Sequence, residues 1–71
     1  MLTMLYIFKT SVRSQKDAKA ISRIFEANGN IAHFNFDLED CDKILRVKSD
    51  HLKAAEIISL VSHLKHTYEE L

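Results

Sequence analysis

The run Ile31 to Asp37 constrains this chain more than any other feature, because its side chains alternate in character at every step. Ala32, Phe34 and Phe36 fall on one face, and His33, Asn35 and Asp37 fall on the other. A period of two with one apolar side is the pattern of a strand buried on one face only, so the chain must build a sheet with a dry face and a wet face. Something has to cover the dry face, and the flanking segments supply it. Ala18, Ile21, Ile24 and Phe25 repeat at helical spacing, and so do Ala54, Ile57, Ile58, Val61 and Leu64, with Tyr68 a possible continuation.

The remaining segments fit around this frame. Met4 to Val12 reads as a strand in which Tyr6, Phe8, Thr10 and Val12 share a face. Ser14-Gln15-Lys16-Asp17 has the form of a capping box, which starts the first helix. Asn28-Gly29 is expected to end it, with Gly29 in the left-handed position that glycine takes past a helix terminus. Leu38 to Asp42 is an acidic turn, and Lys43 to Lys48 is its hairpin partner with Leu45 and Val47 inward. Ser49 or Asp50 can cap the second helix. Residues 67–71 either prolong that helix or form a last short strand. The order strand, helix, strand, strand, helix and an optional strand predicts an α+β fold, a two-layer sandwich with two helices on one face of an antiparallel sheet. With the usual right-handed crossover it is the ferredoxin-like βαββα(β) arrangement. That topology brings the first strand-to-helix loop, the hairpin around Cys41 and the end of the second helix to one end of the molecule.

At 71 residues the chain is expected to be one domain, 1–71, with a thin margin of stability. Ten basic and ten acidic residues cancel, which argues against a nucleic-acid partner or an anionic membrane. An aromatic RNA-binding sheet is also disfavoured, because Phe34 and Phe36 point inward in this reading. The single cysteine, Cys41, excludes an internal disulfide and suggests a cytoplasmic location. The apolar stretch Met1 to Phe8 runs into Lys9, too short for a membrane span and without a basic leader.

The chain resembles the heavy-metal-associated domains, the family of small copper chaperones and of the N-terminal modules of metal-pumping ATPases. The likeness covers nearly the whole chain and is closest to a bacterial branch. It is carried by the strand Phe8-Lys9-Thr10-Ser11-Val12, the strand Asp42-Lys43-Ile44-Leu45-Arg46-Val47 and the helix start Ala54-Ala55-Glu56-Ile57-Ile58. Metal-binding members clasp a soft ion such as Cu(I) between two cysteines spaced C-x-x-C at the start of the first helix. The matching positions here are Ser14 and Asp17, whose oxygens are poor substitutes for thiolates. The resemblance therefore implies a degenerate member without cofactor, one that keeps a protein-docking end.

Other residues offer competing chemistry. Cys41 is the one soft ligand, but Glu39, Asp40 and Asp42 beside it disfavour the thiolate. His63 and His66 stand at i and i+3, on one face if the second helix continues through them, with Glu56, Ser59 and Glu70 extending that face. Cys41, His63 and His66 together form an alternative, relocated site for Cu(I), Zn²⁺ or Ni²⁺. The carboxylates Asp37, Glu39, Asp40 and Asp42 lack the spacing of a calcium loop and read as solvated or as a dock for a basic partner. No Gly-rich phosphate loop and no second thiol are present, and no Ser-His-Asp set can be placed from sequence. The expectation is a non-enzymatic module that binds a protein partner or pairs with itself through an open sheet edge.

Overall fold

A computed structural model of the chain describes residues 3–37 and 43–71. The elements run β1 (Met4–Thr10), α1 (Gln15–Glu26), β2 (Ile31–Asp37), β3 (Ile44–Ser49), α2 (Ala54–Val61), a 3₁₀ turn (Ser62–Leu64) and β4 (Tyr68–Glu70). The four strands form one antiparallel sheet in the order β2-β3-β1-β4. This is the α+β sandwich expected from the alternation and the two stripes, with the optional last strand formed at Tyr68–Glu70.

The dry face carries the predicted residues. Phe8 of β1, Leu45 and Val47 of β3, Ile21 and Phe25 of α1, and Ile57 and Val61 of α2 are all at most 1% exposed and make one cluster. Each such side chain contributes on the order of 1.5–3 kcal/mol by leaving water. Val12 is fully buried although it lies beyond β1, because the loop turns it inward below α1.

Three local readings are corrected. Helix α1 does end near Asn28, but Gly29 is not left-handed. The turn is made instead by the Asn28 side chain, whose Oδ1 accepts the Asn30 N–H at 2.8 Å, an Asx turn that leaves glycine's freedom unused. Along β2 the register slips, with Ile31 opposite Ser49 and His33 opposite Lys48, so Ala32 is the extra residue of a bulge. The bulge resets the alternation. Ile31, not Ala32, packs on the core beside Phe34 and Phe36, and Ala32 is exposed. Third, α2 stops at Val61 and does not continue through His63 and His66. Lys65 takes the left-handed conformation at φ 61° and swings the chain toward β4. Tyr68 then returns over the helix end, where its hydroxyl donates to the Val61 carbonyl at 3.3 Å. Among the described residues no helix is long and apolar enough to cross a membrane.

Candidate functional site

The loop after β1, the base of the hairpin and the segment before β4 meet at one end of the sheet, as the topology requires. Thr10 is the pivot, a polar side chain only 7% exposed. Its hydroxyl donates to the Lys43 carbonyl at 2.7 Å and accepts the buried Val12 N–H at 3.2 Å, while its own N–H also donates to Lys43 at 3.2 Å. Next to it, Ser11 is tied to Thr67 twice: its N–H donates to the Thr67 carbonyl at 3.2 Å, and its Oγ accepts the Thr67 N–H at 2.9 Å. His66 completes the junction. Its Nδ1 lies 3.4 Å from Ser11 Oγ, and its Nε2 lies 3.7 Å from Asp17 Oδ2. One proton arrangement fits all three contacts, with the Ser11 hydroxyl donating to Nδ1 and Nε2 carrying hydrogen toward the carboxylate.

A serine, an imidazole and a carboxylate are the components of a hydrolytic triad, but this set is built as a strap. The Ser11 oxygen is already engaged by main chain from Thr67. The His66–Asp17 distance of 3.7 Å exceeds a hydrogen bond, and at 45% exposure Asp17 leaves the pair screened by water. The strap closes a gap of about fifty residues in sequence, so no local spacing announces it. Thr10 was legible in part, being a hydroxyl on the inward face of an apolar strand, where it must find partners.

Ser14 and Asp17, which the sequence resemblance sets at metal-ligand positions, are both occupied with helix chemistry. Ser14 Oγ accepts the Asp17 N–H at 3.1 Å, the N-cap that its sequence predicted, a contact typically worth about 1 kcal/mol. The Asp17 carboxylate sits in the first turn, where the helix dipole favours it, and faces His66. A capping hydroxyl and a carboxylate supply only hard oxygens, so the residues present do not fit a Cu(I) ion.

The relocated ligand set is only partly drawn together. His63 is exposed in the 3₁₀ turn, and His66 lies beyond the left-handed Lys65, engaged with Ser11 and Asp17. The two imidazoles therefore do not share a helical face, and Glu70 belongs to β4. Cys41 lies outside the described residues, with Glu39, Asp40 and Asp42. Among the described residues no group of three or more His, Cys, Asp and Glu side chains could hold a metal ion. Tyr68 has a displaced titration. Burial pushes its phenol above the ordinary value, and the Asp17 carboxylate adds to the rise.

Three cations of this end are exposed, alongside the partly exposed carboxylate of Asp17. Arg13, Lys16 and Lys65 are exposed, one from the β1–α1 loop, one from the first turn of α1 and one from the turn before β4. Fold and site together define a small ferredoxin-like α+β sandwich whose strapped end exposes Arg13, Lys16 and Lys65. The chain matches no family model and no curated protein.

Proposed function

We propose that the protein is a small non-enzymatic binding module that docks an acidic surface of a partner protein on the end formed by Val12 to Asp17, Lys43 and Lys65 to Tyr68. One observation carries the reading: three exposed cations sit on separate segments that Thr10, Ser11 and His66 fasten to one another. A fastened surface loses little freedom on binding, which is what a docking face needs. The heavy-metal-associated resemblance points the same way, since metal-carrying members of that family dock partners through the corresponding end. The test is a photo-crosslinker placed at Lys16 or, as a control on the open sheet face, at Lys48. Position 16 should capture an acidic protein that position 48 does not. The double variant Arg13→Glu/Lys16→Glu should cut its binding about tenfold or more without moving the unfolding midpoint. Equal capture at both positions, or binding untouched by the charge reversal, rejects the proposal.

A second reading is kept because His66 Nε2 lies 3.7 Å from Asp17, so a nitrogen ligand stands beside a position that the resemblance matches to a metal ligand. In that case Cys41, His63 and His66 form a relocated carrier or sensor site for Cu(I), Zn²⁺ or Ni²⁺. One bound ion at a hundred times its dissociation constant stabilises by about 2.7 kcal/mol. Thermal unfolding of the reduced protein with each ion should then show a rise that disappears in both Cys41→Ser and His66→Ala. No rise, or a rise that both variants keep, removes this reading.

A further inference from the structure

The sheet ends on one side in a long strand that nothing else in the described sheet pairs. β2 is outermost, against β4 at the opposite edge with only three residues, Tyr68–Glu70. Two of those three are glutamates, so the β4 edge is short and charged, the usual protection against strand addition. β2 is more open: its one charged side chain, Asp37, and its bulge at Ala32 both lie at its ends. It runs seven residues, Ile31–Asp37, and contains no lysine or proline.

The hydrogen-bond phase of the sheet tells which β2 groups face outward. Thr10 N–H donates to Lys43, continuing the register Phe8 to Leu45 and Lys9 to Ile44. Lys43, Leu45 and Val47 thus direct their main-chain groups at β1, and Ile44, Arg46 and Lys48 direct theirs at β2. Their partners there are Asp37, Asn35 and His33. The N–H and C=O groups of Phe34 and Phe36 therefore point to the free edge. Their half-buried rings line a groove of about 400 Å³ against Ala18 and Ser22 of α1.

We propose that a second copy of this chain fills that edge, with the two β2 strands antiparallel about a two-fold axis through Asn35. The bulge at Ala32 bends the strand behind it and confines flat pairing to His33 through Asp37, whose centre is Asn35. In this register Phe34 and Phe36 of one copy exchange both main-chain bonds with Phe36 and Phe34 of the other. The four rings join on the helix side and extend the groove across the axis. On the open face His33 stands opposite Asp37 at both ends of the window, and an imidazole can donate to a carboxylate whether or not it is protonated. A one-residue shift loses this match and sets unlike groups opposite one another. Asp37 is already engaged within its own chain, so the cross-strand pair selects the register more than it supplies affinity. Five residues a side fall well below the roughly 20–30 a side of a tight interface, so the dimer should be concentration-dependent. This inference does not depend on the docking end proposed above.

Sedimentation equilibrium of the full chain from micromolar to millimolar concentration should show a monomer–dimer transition. The Phe34 and Phe36 amides should gain exchange protection as the dimer forms. Asn35→Lys, which places like charges on the axis at an exposed position, should weaken association about tenfold. His33→Asp and Asp37→Lys should each weaken it roughly five- to tenfold, and the double variant His33→Asp/Asp37→Lys should return to within about threefold of the original. Circular dichroism of each variant checks that it is folded, and Asn35→Lys with the amide measurement decides the matter if Asp37→Lys is not. A monomer throughout the range overturns the proposal. So does a dimer whose swapped pair fails to recover, or one in which the Phe34 and Phe36 amides stay unprotected.

Discussion

Phe25→Ala is expected to lower the unfolding free energy by about 3–5 kcal/mol, among the largest losses from a single side chain in this domain. Phe25 is 1% exposed on the inner face of α1, and its ring meets Phe34 edge-on with centroids 5.3 Å apart. Truncation removes its buried area and opens a cavity between the helix and β2, which neighbouring side chains can fill only in part. A domain of 71 residues has about 4–11 kcal/mol of stability in all, so the variant should be largely unfolded in dilute urea. Urea denaturation followed by circular dichroism reads the loss as a lower midpoint. Phe25→Leu, which refills most of the volume, should cost only about 1–2 kcal/mol. The double variant Phe25→Leu/Phe34→Leu should reveal a coupling of about 0.5–1.5 kcal/mol from the edge-on pair. A loss below about 1 kcal/mol for the alanine would place the ring outside the core. The consequence is functional as well, because α1 carries Ser14, Lys16 and Asp17 to the strapped end.

How much of this was legible follows from which interactions are local. The stripes of α1 and α2, the alternation of Phe34 and Phe36 and the Ser14 cap are set within a few residues, and each sits where its spacing placed it. The topology then required three segments to converge at one end, and Thr10, Lys43, Ser11 and Thr67 make the contacts that join them. The misses came from competition between local and distant partners. The stripe of α2 leads on toward Leu64 and Tyr68, but Tyr68 pairs with Thr10 across β1, and α2 stops at Val61 to let the chain return. His63 and His66 were separated by that same return. Ile31 exchanged places with Ala32 because burying isoleucine outweighs the ladder regularity lost at a bulge. Gly29 went unused because Asn28 made the turn with its side chain. The Ser11–His66–Asp17 strap joins residues that no sequence window contains together.

Ser49→Ala should cost about 2–3 kcal/mol, the largest loss expected from any polar substitution in the chain. The sequence allowed either Ser49 or Asp50 to cap the second helix, but neither does, because the helix starts later with Lys53 at its N-cap; burial nonetheless separates the roles of the two. Ser49 is completely buried, and Asp50 is exposed. The Ser49 hydroxyl donates to the Asn30 carbonyl at 2.6 Å and accepts the N–H groups of Leu52 at 3.0 Å and His51 at 3.3 Å. One oxygen thus joins the turn before β2 to the turn before α2. The helix itself begins later, at Ala54, where Glu56 Oε1 accepts the Lys53 N–H at 3.0 Å. Removing the hydroxyl leaves main-chain groups from both turns without partners in a part-buried site, each costing about 1–3 kcal/mol if nothing replaces it. Partial relaxation of the exposed His51 brings the sum down to the expected figure. Asp50→Ala, which gives up an exposed hydrogen bond to Thr3, should stay within about 0.5 kcal/mol. Urea midpoints at equal slope give both values, and faster exchange of the Leu52 amide in Ser49→Ala would locate the damage. If Asp50→Ala cost as much as Ser49→Ala, the exposed Thr3–Asp50 contact would matter as much as the buried hydroxyl, and Ser49 would not be the link between the two turns.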